Sequence, residues 1–124
     1  MIEALGENHP SVAETYHNLG MTYSRMGNVT KGLEYYNAAL PIMVQALGHR
    51  HPNVASVLAE MGVAYGKMGN TLKALGHLQR AVAILVAALG PRHPQTLQNA
   101  RMLCLARRLV VEVCVRSAVH VVCQ

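Results

Sequence analysis

The sequence contains neither tryptophan nor phenylalanine, and all five of its aromatic residues are tyrosines. A chain so poor in large flat side chains offers little platform on which bases could stack. Charge is scarce too: acidic and basic residues make up 14% of the chain and apolar residues 52%. That balance excludes a disordered polyelectrolyte, because there is apolar surface enough for a core. No uninterrupted apolar run reaches the roughly 18 residues of a membrane crossing, so no membrane is expected. The opening MIEALGENHP has no basic stretch leading into an apolar one. Without the mark of a secretory leader, a reducing, cytoplasmic setting is the expectation.

Cysteine is also thinly used. Cys104, Cys114 and Cys123 are the three, at spacings that fit neither a zinc cluster nor a redox pair, and free buried thiols are the simple reading. Signs of reaction chemistry are missing as well. The chain has no glycine-rich phosphate loop, no Gly-x-Ser-x-Gly elbow and no clustered acid and base. An enzyme is not expected, nor is a cofactor. The formal net charge of +5 favours acidic partners in general terms. With 124 residues the chain suits one small domain, burying roughly two thirds of its unfolded surface.

What the sequence does have is a phrase written three times: LGENHPSVA from Leu5, LGHRHPNVA from Leu47 and LGPRHPQTL from Leu89, each 42 residues after the last. Residues 5–46 laid over 47–88 without a gap agree at 17 of 42 positions, among them Gly20/Gly62, Tyr23/Tyr65, Gly27/Gly69 and Ala39/Ala81. Self-similarity at this period marks a stack of units, each burying its apolar face on the next.

Within a unit the spacing is helical. Tyr16, Leu19, Gly20 and Tyr23 fall at i, i+3, i+4 and i+7, as do Leu58, Met61, Gly62 and Tyr65. The His-Pro pair starts this first helix, since proline suits a helical first turn. Gly27 and Gly69 stop it by taking the left-handed conformation. A second helix is predicted over about 30–46 and 71–89, ending at Gly48 and Gly90. The repeated phrase is then the corner between hairpins. His9, His51 and His93 should lie about 10 Å apart, a helix packing distance, which rules out a shared metal ion.

These residues resemble the tetratricopeptide repeat, in the 42-residue form of kinesin light chains. The pattern is met by Tyr16, Leu19, Gly20, Tyr23, Gly32, Tyr36 and Ala39, and again by Leu58, Met61, Gly62, Tyr65, Ala74, Leu78 and Ala81; the Leu-Gly-x-x-His-Pro-x-Val-Ala corner points to the light-chain form. The resemblance implies an all-α fold, antiparallel hairpins stacked as a right-handed solenoid, with self-association left open. It implies the end of one repeat at 1–5, repeats at 6–47 and 48–89, and the first helix of a third at 90–108. Met1 to Leu5 read as the tail of a preceding helix, so a piece of a longer array is expected, with marginal stability or support from a partner copy.

The family binds peptides and proteins on the concave face lined by the first helices. Light chains carry Asn-Asn-Leu-Ala there; the equivalents here are His17-Asn18-Leu19-Gly20, Ala59-Glu60-Met61-Gly62 and Arg101-Met102-Leu103-Cys104, so of the asparagines only Asn18 is kept. Read from the residues, the groove positions are Glu14, His17, Asn18, Met21 and Arg25, then Ser56, Ala59, Glu60, Val63 and Lys67, then Gln98, Arg101, Met102, Leu105 and Arg108. Asn18 could donate to and accept from a peptide backbone, and Arg25, Lys67, Arg101 and Arg108 could pair with acidic groups. Each is equally what a solvated helix face looks like.

Two features break the pattern. Pro41 falls inside a predicted helix, where it removes a hydrogen bond and crowds the Asn37 carbonyl, so a kink is expected. After Arg107 the register meets Val111 where the glycine turn should be. The valine-rich residues 109–124 alternate in a strand-like way, leaving a helical cap, a pairing strand or an unrelated terminus as readings. Cys104 falls on a small, core-facing position. The leading expectation is a scaffold that binds a partner, with an acidic preference. The alternatives are a self-assembling element, associating through terminal repeats or residues 109–124, and last an RNA-binding helical repeat.

Overall fold

A computed structural model of the chain describes residues 9–123, giving the backbone alone at Pro10 and over 109–123. Among the described residues there are five helices and no strand: α1 (Pro10–Arg25), α2 (Val29–Leu47), α3 (Pro52–Lys67), α4 (Thr71–Leu89) and α5 (Pro94–Cys123). The expected tail of a preceding helix, at 1–5, lies outside them.

Each hairpin is bounded by the same local chemistry. His9 and His51 cap α1 and α3: the imidazole Nδ1 accepts from the N–H of Ser11 at 3.1 Å and of Asn53 at 3.1 Å. His93 does the same for α5, accepting from Gln95 at 3.2 Å. The side chains of Asn28 and Asn70 cap α2 and α4, accepting from Lys31 and Lys73. Gly27 and Gly69 turn each hairpin at φ +90° and +83°, a region that side chains with a Cβ rarely enter.

The hairpins close on the glycines of α1 and α3. A Cβ added at Gly20 would sit 2.6 Å from the Tyr36 ring, and one at Gly62 would sit 2.9 Å from Leu78. Glycine is therefore what lets α2 and α4 approach. The core runs from Val12 and Ala13 through Tyr36, Ile42 and Met43 to Val54, Leu58 and Met61, then Leu78, Leu85 and Leu103. Each large aliphatic side chain in it contributes on the order of 2 kcal/mol. α2 packs on α3 and α4 on α5, so the hairpins stack in chain order. Lys31 and Lys73, one period apart, place Nζ 4.8 Å and 5.2 Å from the rings of Tyr23 and Tyr65. By length and composition α4 could cross a membrane; in the fold its Ala74, Leu78, Ala81 and Leu85 are buried.

Of the readings left open for residues 109–124, the strand is overturned: 109–123 continue α5 as a helix. With Val111 in place of the glycine stop, nothing ends the helix there. Cys104, expected to face the core, is exposed. Its equivalents Gly20 and Gly62 are covered by α2 and α4, and among the described residues no second helix folds back on α5. α2 runs unbroken through Pro41.

Candidate functional site

The sequence places the candidate residues on α1, α3 and α5, and the stacking gathers most of them along one channel between neighbouring first helices. Its sharpest part is a cleft between α1 and α3, lined by Met21, Ser24, Arg25, Tyr36, Glu60, Val63, Ala64 and Lys67. Arg25 and Lys67 stand one period apart in the last turns of their helices, so their charges recur at one end of the channel. Met21 and Val63, also one period apart, supply apolar lining between them.

At the centre His17 Nε2 and Glu60 Oε2 lie 3.0 Å apart, both partly buried. This contact ties α1 to α3 across the groove floor. Burial pushes the Tyr36 phenol up to about 12, and the nearby Glu60 carboxylate adds to the effect. The phenol therefore stays neutral well above neutral pH, beside Glu60 in the lining of the cleft. Towards the helix starts, Glu14, His17, Asn18, Met43, Asn53 and Ser56 surround a second depression. Its equivalent one unit on is formed by Ser56, Ala59, Glu60, Val63, Gln95, Gln98, Asn99 and Met102. There Gln95 Nε2 donates to Ser56 Oγ at 2.8 Å, tying α3 to α5.

Of the fifteen expected residues, twelve line these adjoining depressions: Glu14, His17, Asn18, Met21, Arg25, Ser56, Ala59, Glu60, Val63, Lys67, Gln98 and Met102. Arg101, Leu105 and Arg108 do not join them. They border a separate groove with Leu97, Ala100 and Cys104. Arg101 follows His17 and Ala59 in register, and those two face the next unit along; past α5 no next unit is present among the described residues. Ala59 lines the channel only at its edge, being almost fully buried. Tyr36 also lines the cleft, although in the sequence it stood only as a position of the repeat pattern.

Along these depressions Asn18 offers a donor and an acceptor, and Arg25 and Lys67 offer positive charge. Among the described residues no three histidines, cysteines or carboxylates are grouped to hold a metal ion. The three corner imidazoles are each engaged in capping a different helix.

Among curated protein sequences nothing matches the chain. Two solved structures that match it come from Podosopora anserina and carry nearly identical TPR-like repeats of a protein described as a kinesin light chain. One has a TM-score of 0.73 at 28% identity, covering 80% of this chain and 47% of its own. The other, a point variant of the same protein, has a TM-score of 0.77 at 28% identity, covering 84% and 49%. The chain thus spans about half the length of those proteins. The family model for the tetratricopeptide repeat matches residues 11–85. That match exceeds half of the chain and rests on the helices that carry the glycine contacts and the channel, which makes this chain a member of the tetratricopeptide repeat family.

Proposed function

We propose that the chain is a non-catalytic binding module of the cytoplasm that holds an extended segment of a partner protein along the channel on α1, α3 and α5, with a preference for acidic segments. The observation that carries the reading is the cleft between α1 and α3. Arg25 and Lys67 flank it, Met21 and Val63 give it an apolar wall, and Glu60 and the Tyr36 phenol lie at its base. Asn18, at the neighbouring depression, brings both a donor and an acceptor, as a peptide backbone requires. Cations at an open cleft attract carboxylates from a distance and pair with them on contact.

A peptide array of acidic and neutral sequences tests binding and charge preference together. The tightest acidic peptide, labelled and titrated by fluorescence anisotropy, should bind the Asn18→Ala, Arg25→Ala, Lys67→Ala triple variant about tenfold more weakly or worse, a loss of 1.4 kcal/mol or more. Equal affinity for the variant would move the site off this channel.

A further inference from the structure

We propose that Glu60 is the specificity-determining residue of the channel: it selects partner segments that bring an uncharged hydrogen-bond donor to the middle of α3 and keep their carboxylates at the end marked by Arg25 and Lys67. This rests on the channel being the binding surface and names the class of segment that fits it.

The charge of the channel is divided by place. Arg25 and Lys67 stand in the last turns of α1 and α3, both exposed. Glu60 comes seven residues before Lys67 on the same helix, about 10 Å of rise. Over that distance, about one Debye length at 0.1 M salt, the field of exposed cations is substantially screened. An acidic side chain is therefore attracted at the helix ends and repelled at the middle of α3.

The neighbours of Glu60 leave it able to meet a ligand. Its Oε2 lies 3.0 Å from His17 Nε2, yet its side chain remains 32% exposed, and a carboxylate can accept about four hydrogen bonds in all. The residue lines both the cleft between α1 and α3 and the depression towards α5, so a chain that follows the channel passes it. In the depression towards α5 no other lining residue is charged, and no cation offsets the carboxylate there.

Register sharpens the assignment. Asn18, Glu60 and Met102 occupy one position in successive units, and all three line the channel. The first offers a donor and an acceptor, the second acceptors only, and the third a weakly accepting sulfur in an apolar side chain. Each unit thus asks something different of the segment laid on it, and only at Glu60 does the position carry charge. An N–H or a hydroxyl satisfies it. A carboxylate brings two like charges together in a partly buried place, where water screens them less than in bulk.

Isosteric peptides titrated by fluorescence anisotropy against the full chain test this. In the tightest acidic peptide, each position is occupied in turn by glutamate and by glutamine. One position should favour glutamine by about tenfold, or 1.4 kcal/mol, while the positions held by Arg25 and Lys67 favour glutamate. In Glu60→Gln the preference for glutamine should vanish and the preference for glutamate elsewhere should persist. The new amide can pair with either tautomer of His17, so only the charge is lost. Glu60→Asn, which gives the second unit the residue that the first carries, should behave alike and serves if the glutamine variant loses helix content by circular dichroism. A contact that merely ties α1 to α3 would instead weaken every peptide equally. A peptide set in which no position favours glutamine, or a preference that survives both variants, overturns the role of Glu60. If the Asn18→Ala, Arg25→Ala, Lys67→Ala variant still binds weakly in that case, the channel stands as the site without this selectivity; equal affinity of that variant removes the site and the selectivity together.

Discussion

The imidazole of His51 does for α3 what an asparagine or aspartate side chain does for many helices: it accepts a hydrogen bond from a free N–H of the first turn. Replacing His51 with alanine should lower stability by about 1 kcal/mol, and replacing it with asparagine should restore most of that; urea unfolding of the three proteins compares them. The sequence showed a helix start here through Pro52 but not the cap itself, because histidine is outside the usual capping set and only the ring orientation reveals the bond. Tyr36 gives a second residue-scale prediction. Its phenol is pushed up to about 12, mainly by burial, against about 10 in an unfolded chain. Below pH 10 both states keep the proton, so that stability is undiminished. Between pH 10 and about 12 the unfolded chain ionises first, and stability falls by roughly 1.4 kcal/mol per unit. Unfolding followed across that window should show Tyr36→Phe losing less stability than the parent. Equal losses would place the effect on other residues.

At the scale of the element, the periodicity of α1 through α4 was plain because glycine, asparagine and proline punctuate each end at a fixed place in the 42-residue period. α5 was read only in part. Valine at 111, 113 and 115 alternates as a strand would, while Glu112, Arg116 and His120 fall four apart as on a helix, so the segment satisfies two periods and neither decides. What decides is the missing glycine, which leaves the helix without a stop. Cys104 was misplaced for a related reason: register gives a residue its position in the unit but not whether the covering helix is there. Pro41 tests the converse, a breaker that did not break its element, since α2 is continuous from Val29 to Leu47. A proline in a helix interior costs about 3 kcal/mol, offset by roughly 1 kcal/mol through restriction of the unfolded chain. Pro41→Ala should therefore raise stability by about 2 kcal/mol in chemical denaturation, as Ala83 at the equivalent place suggests it can.

For the molecule as a whole, stacking does what no single element can, bringing His17 to Glu60 and Gln95 to Ser56 across about one period of chain. The channel was largely legible because a fixed period converts sequence positions into a shared face. Arg101 and Arg108 escaped that logic because a face shared by neighbours needs a neighbour, and α5 is the last helix described. An acidic peptide in the channel is drawn by Arg25 and Lys67, an attraction that weakens as the Debye length shrinks from about 10 Å at 0.1 M to about 3 Å at 1 M salt. Raising salt over that range should therefore weaken peptide binding measured by anisotropy. A peptide indifferent to salt would mean that Met21 and Val63, not the cations, hold it.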